Sequence, residues 1–132
     1  MTDKPKVLLI DDDPDFVTAT RTVLESKPYE VIVAYNGEDG LRKAREENPD
    51  VIILDVIMPG QDGFMVAEQL KKDARLRKIP VLMLTSFSEK GSGSSIAFSG
   101  GLTLEAEDYI DKPVSPKELL VRVEKQLKKL GH

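Results

Sequence analysis

Short runs of Val, Ile and Leu recur along the chain, separated by stretches whose apolar residues fall three or four positions apart. The runs are Val7-Leu8-Leu9-Ile10, 31–35, Val51-Ile52-Ile53-Leu54 and 81–84, with a weaker one at Tyr109-Ile110. Runs that are apolar throughout, rather than alternating, predict strands covered on both faces, which favours parallel pairing. Between them the period changes to that of a helix. Over 14–27, Phe16, Thr20, Val23 and Leu24 share a face, with Pro14 suited to the first turn. Leu41 and Ala44 do the same over 37–47, and Val66, Ala67 and Leu70 over 62–73, where Asp62 is placed to cap the helix. Leu119, Leu120, Val123, Leu127 and Leu130 form a longer stripe over 116–130, and Gly131 follows as a stop. Strand followed by helix, five times over, predicts an α/β fold. It is a five-stranded parallel sheet with helices on both faces, joined by right-handed crossovers.

Residues 86–103 break the rhythm. A helix is due there, yet the stretch holds six Ser and four Gly in 18 positions. Both residue types weaken helices, glycine by about 1 kcal/mol against Ala. Past Phe87, only Ile96, Ala97, Phe98 and Leu102 offer apolar anchors. The expectation is a short or remodelled helix near 94–99 with mobile glycine-rich flanks.

Composition narrows the chemistry. The chain has 132 residues, one domain's worth, and is expected to be a single domain over 1–132 with no effector domain in this chain, whether it stands alone or is cut from a longer protein. A net charge of −4 lacks the basic footprint of a direct nucleic-acid binder. No apolar run approaches the ~20 residues of a membrane span, and no leader pattern opens the chain, so a cytoplasmic protein without membrane insertion is expected. There is no Cys, and the single His is His132, which leaves carboxylates, hydroxyls and lysines to do any chemistry.

In open parallel sheets ligands bind beyond the carboxyl ends of the strands. The first strand ends in Asp11-Asp12-Asp13, the third in Asp55, the fourth in Thr85-Ser86 and the fifth in Asp111-Lys112-Pro113. Carboxylates gathered at one end repel one another unless a cation sits among them, and an all-oxygen set suits a hard ion such as Mg²⁺. A phosphoryl group there could be shared by the metal, the Thr85 hydroxyl and the Lys112 ammonium. Each residue also has a plainer reading: the acids as helix caps, Thr85 as a loop hydroxyl, Tyr109 as a strand aromatic, Lys112 as a surface cation. Asp13, just before Pro14, fits the capping role best.

Four stretches, in order and at the right strand ends, resemble the receiver domain of bacterial two-component response regulators. They are Val7-Leu8-Leu9-Ile10-Asp11-Asp12-Asp13-Pro14, residues 50–63 around Leu54-Asp55-Val56-Ile57-Met58-Pro59-Gly60, Leu84-Thr85-Ser86, and Asp108-Tyr109-Ile110-Asp111-Lys112-Pro113. The resemblance implies a flavodoxin-like doubly wound fold and a phosphoacceptor at Asp55. It implies Mg²⁺, with Mn²⁺ as an alternative, held by Asp11, Asp12, Asp55 and the backbone carbonyl of Ile57. Thr85 and Tyr109 correspond to the pair that moves on phosphorylation, and Lys112 to the lysine that meets the phosphoryl oxygens. Ile57 and Phe87 stand where the family tunes the lifetime of the aspartyl phosphate, and both are bulky and apolar. The implied donor is a sensor histidine kinase or a histidine phosphotransfer protein, and the implied output an unidentified downstream protein. Such a domain catalyses only its own phosphorylation and dephosphorylation. The irregular 86–103 stretch leads us to expect a monomer.

Three other readings compete. A hydrolase with an Asp nucleophile and Mg²⁺ needs a second acid two residues on, where Ile57 stands. A flavin mononucleotide carrier needs hydroxyls and glycines after the first strand, where three acids stand. A phosphorylation-independent interaction module on the same fold is the closest alternative, kept alive by residues 86–103.

Overall fold

The structure is a computed structural model and describes residues 4–55, 62–85, 108–111 and 114–131. Five strands, β1 (Lys6–Ile10), β2 (Glu30–Ala34), β3 (Val51–Asp55), β4 (Val81–Thr85) and β5 (Asp108–Asp111), form one sheet. Its order is β2-β1-β3-β4-β5 and every pairing is parallel. Four helices are described: α1 (Pro14–Leu24), α2 (Gly37–Glu47), α3 (Asp62–Lys72) and α4 (Pro116–Lys129). The expected helix near 94–99 lies outside the described residues. No described helix is long and apolar enough to cross a membrane.

Side chains leave a strand alternately to its two faces, and the central strands divide their residues accordingly. Leu8, Ile10, Ile52, Leu54, Val81 and Met83 pack under Leu41 and Ala44 of α2 and Val66, Ala67 and Leu70 of α3. Val7, Leu9, Val51, Ile53, Leu82 and Leu84 pack under Val17 and Leu24 of α1 and Leu119, Val123 and Leu127 of α4. Two buried faces explain why the strands read as continuous apolar runs. Burying one such side chain contributes roughly 1.5–3 kcal/mol.

The element boundaries correct the expectations in places. α1 stops at Leu24 rather than at residue 27. There Ser26 N–H bonds Val23 O and Lys27 N–H bonds Leu24 O, tightening the turn, and Pro28 disfavours helical backbone at Lys27. Val17 is fully buried on α1, whereas Phe16 and Val23 are half-buried. Asp62 is the first helical residue of α3 instead of its cap. α3 and α4 each end one residue early, a shift within the usual fraying of helix ends. Gly131 sits just past α4 at φ 90°, the left-handed backbone that ends many helices.

Candidate functional site

Parallel register brings distant acids together. Ile10 of β1 pairs with Leu54 of β3, so the next residues, Asp11 and Asp55, stand side by side at the strand ends. Asp11 N–H extends the β1–β2 ladder by one bond, to Ala34 O at 3.1 Å. This holds Asp11 at the strand end, where its side chain is fully buried, and Asp55 is only 2% exposed. Asp12 is exposed. One carboxylate oxygen from each of Asp11, Asp12 and Asp55 lies within 4.8 Å of the others.

That donor set fits a small hard cation. Oxygens at about 2.1 Å from Mg²⁺ on opposite sides stand about 4.2 Å apart, and the three carboxylate oxygens here lie within 4.8 Å of one another. Three carboxylates with two of them buried also need positive charge nearby, because burial weakens solvent screening. Asp11, Asp12 and Asp55 are therefore the residues able to hold the ion.

The other expected site residues are described less completely. Thr85 is the last residue of β4, one position past the Asp55–Leu84 rung, and it pairs with Asp111 of β5. Tyr109 pairs with Met83. Both are described as backbone positions only. Ile57, Phe87 and Lys112 lie outside the described residues.

Asp13 caps α1, as its position before Pro14 predicts. Its carboxylate accepts from Asp15 N–H at 3.0 Å and Phe16 N–H at 3.4 Å. A second contact was not legible in the sequence. The backbone N–H of Asp13 donates to Asp11 Oδ1 at 3.0 Å. Any residue but proline supplies that donor, so no side-chain pattern could reveal it.

At the opposite end of the strands lies a cleft of about 490 Å³ lined by Pro5, Pro28, Tyr29 and Leu127. The Tyr29 phenol is pushed above its ordinary range, first by burial and then by the Glu124 carboxylate. No cluster of acids accompanies it among the described residues.

Comparison with known proteins shows the family of the chain. Residues 7–124 match the family model described as "Response regulator receiver domain". The chain is 40% identical over 124 residues to the alkaline phosphatase synthesis transcriptional regulatory protein PhoP of Bacillus subtilis, covering 94% of this chain and 49% of that one. It is 36% identical over 115 residues to protein PilH of Pseudomonas aeruginosa, covering 87% of this chain and 91% of PilH. The chain thus spans about half the length of PhoP and of similar transcriptional regulators, and most of PilH. The crystal structure of a putative response regulator from Chloroflexus aurantiacus superposes with a TM-score of 0.76 at 34% identity, over 95% of this chain and 98% of that one.

Proposed function

The chain belongs to the response regulator receiver family, whose domains are phosphorylated on Asp, and from that premise we propose that Asp55 is its phosphoacceptor. The observation that supports this reading best is the convergence of Asp55 with Asp11 and Asp12. In the proposed reaction an Asp55 carboxylate oxygen attacks the phosphorus of a phosphohistidine. The new O–P bond forms as the P–N bond breaks, and the donor nitrogen leaves with the electron pair. The donor is a sensor histidine kinase or a histidine phosphotransfer protein. Mg²⁺, for which Mn²⁺ can substitute, would offset the charge that gathers as two anions meet.

The protein's own groups do the rest. Asp11, Asp12 and Asp55, with the Ile57 carbonyl, would hold the ion, and Lys112 would meet the phosphoryl oxygens. Thr85 and Tyr109 report the phosphoryl group by changing conformation, since an anion bound at Asp55 interacts differently with the two states. Ile57 and Phe87 offer no polar group to orient an attacking water, which favours a long-lived aspartyl phosphate. The domain turns over no other substrate. We read it as one cytoplasmic domain over 1–132, acting as a monomer on a downstream protein.

The test is incubation with a small phosphodonor, with and without Mg²⁺, followed by intact mass. One phosphoryl group should be added only with Mg²⁺, and Asp55→Asn should abolish it. Labelling that survives Asp55→Asn would move the acceptor elsewhere. No labelling of the wild type would favour an interaction module that works without phosphate.

A further inference from the structure

Pro14 opens α1 and has no N–H, so the first helical donors needing a partner are those of Asp15 and Phe16. The Asp13 carboxylate takes both, at 3.0 and 3.4 Å. Capping fixes the backbone of Asp13 at φ −95° and ψ 106° and anchors its carbonyl to Val17 N–H at 3.0 Å. The same residue's N–H then points back to Asp11 Oδ1 at 3.0 Å. One residue therefore links the start of α1 to a buried acid of the metal site. Asp11 is held from two directions, by Ala34 O through its own N–H and by Asp13 N–H at its carboxylate.

We propose that Asp13 is a positioning residue for the cation: by capping α1 it holds its backbone N–H on Asp11 Oδ1 and sets the orientation in which Asp11 meets the metal. Its carboxylate acts on the helix, its amide on the site. Without the cap, residues 12–14 lose the side-chain anchor and the hold of the Asp13 amide on the Asp11 carboxylate loosens. Groups that orient a ligand from behind commonly change metal affinity by about 10–100-fold when lost.

The inference rests on the reading of Asp11, Asp12 and Asp55 as a metal centre, and the experiment separates the two. Mg²⁺ affinity is measured by calorimetry on the full chain for wild type, Asp13→Asn, Asp13→Ala and Ser115→Ala. Asn and Ala both remove the charge of Asp13, but Asn still caps a helix about as well as Asp. Their difference therefore reports the cap and not the charge. Asp13→Ala should bind Mg²⁺ about tenfold more weakly than Asp13→Asn. Ser115→Ala removes the cap of α4, where the Ser115 hydroxyl accepts from Glu118 N–H at 3.1 Å. It should lower the melting temperature much as Asp13→Ala does and leave Mg²⁺ affinity unchanged. Equal affinities for Asp13→Asn and Asp13→Ala would overturn the proposal while the metal centre stands. So would a loss in Ser115→Ala as large as in Asp13→Ala. A wild-type protein that binds no Mg²⁺ would overturn the metal reading and this inference with it.

Discussion

Gly40 shows how much one missing methyl group decides. A Cβ at this position would sit 2.6 Å from Ile10 Cδ1 and 2.9 Å from Ile10 Cγ1. Ile10 is fully buried and its branched side chain has few rotamers to escape into. Glycine thus lets α2 lie close over the last residue of β1, the one immediately before Asp11. Gly40→Ala gains up to about 1 kcal/mol in helix propensity but overpacks the contact, at roughly 1–3 kcal/mol. Chemical denaturation should show a net loss of about 1 kcal/mol. In an Ile10→Val background, which removes Cδ1 but keeps the Cγ1 contact at 2.9 Å, the penalty should shrink, and a double-mutant cycle would measure the coupling. An equal loss in both backgrounds would place the cause elsewhere. The sequence showed Leu41 and Ala44 as the buried face of α2 and gave no hint of Gly40. Periodicity reports which side of a helix is covered, whereas closeness between residues 10 and 40 exists only in three dimensions. The site acids were legible for the opposite reason, because a strand's last residue is marked by where its apolar run stops.

Between α3 and β4, Asp73 acts as a hinge pin. Its N–H continues the helix to Gln69 O at 3.2 Å, while its carboxylate accepts from Arg75 N–H at 2.8 Å and Leu76 N–H at 3.2 Å. These bonds start the 3-10 turn at Leu76–Lys78 and bury Leu76 under α3. The two backbone N–H groups, with Arg75 and Arg45 nearby, hold the Asp73 carboxyl below its usual range. A carboxyl that titrates lower in the folded protein stabilises it fully above its unfolded-state value, and the contribution is lost as pH falls through the folded value. The stability gap between wild type and Asp73→Ala should therefore be constant near neutrality and narrow below about pH 4. Urea titrations across that range would show it, and a gap unchanged at pH 3 would refute the assignment. Element starts were easier to read than element ends. Pro14 and Pro116 mark where helices can begin, but α1 ends where its last turn tightens before Pro28. That outcome depends on competing local bonds that no periodicity records.

For the molecule as a whole, the acid cluster is a cost to the fold as well as a site. Two unit charges 4.8 Å apart repel by about 1 kcal/mol in water and more where solvent is excluded. Without divalent cations, Asp12→Asn should therefore stabilise the protein by about 1 kcal/mol. Saturating Mg²⁺ should reverse the ranking, since an ion at 100 times its dissociation constant adds about 2.7 kcal/mol to the protein that binds it. Thermal melts with chelator and with Mg²⁺ would expose the crossover; a single ranking in both buffers would contradict it. The fold itself was readable because its sheet is buried on both sides. What lay beyond the sequence was the interplay of elements, such as the ladder bond from Asp11 to Ala34 that pins the site. Strand order has a temporal side. As the chain leaves the ribosome, β1 can pair with β2 at once, but its other edge stays open until β3 has emerged and crossed over α2. Asp11 and Asp55 come together only at that moment, so a nascent chain that stops short of residue 55 carries two of the three acids and an unclosed sheet.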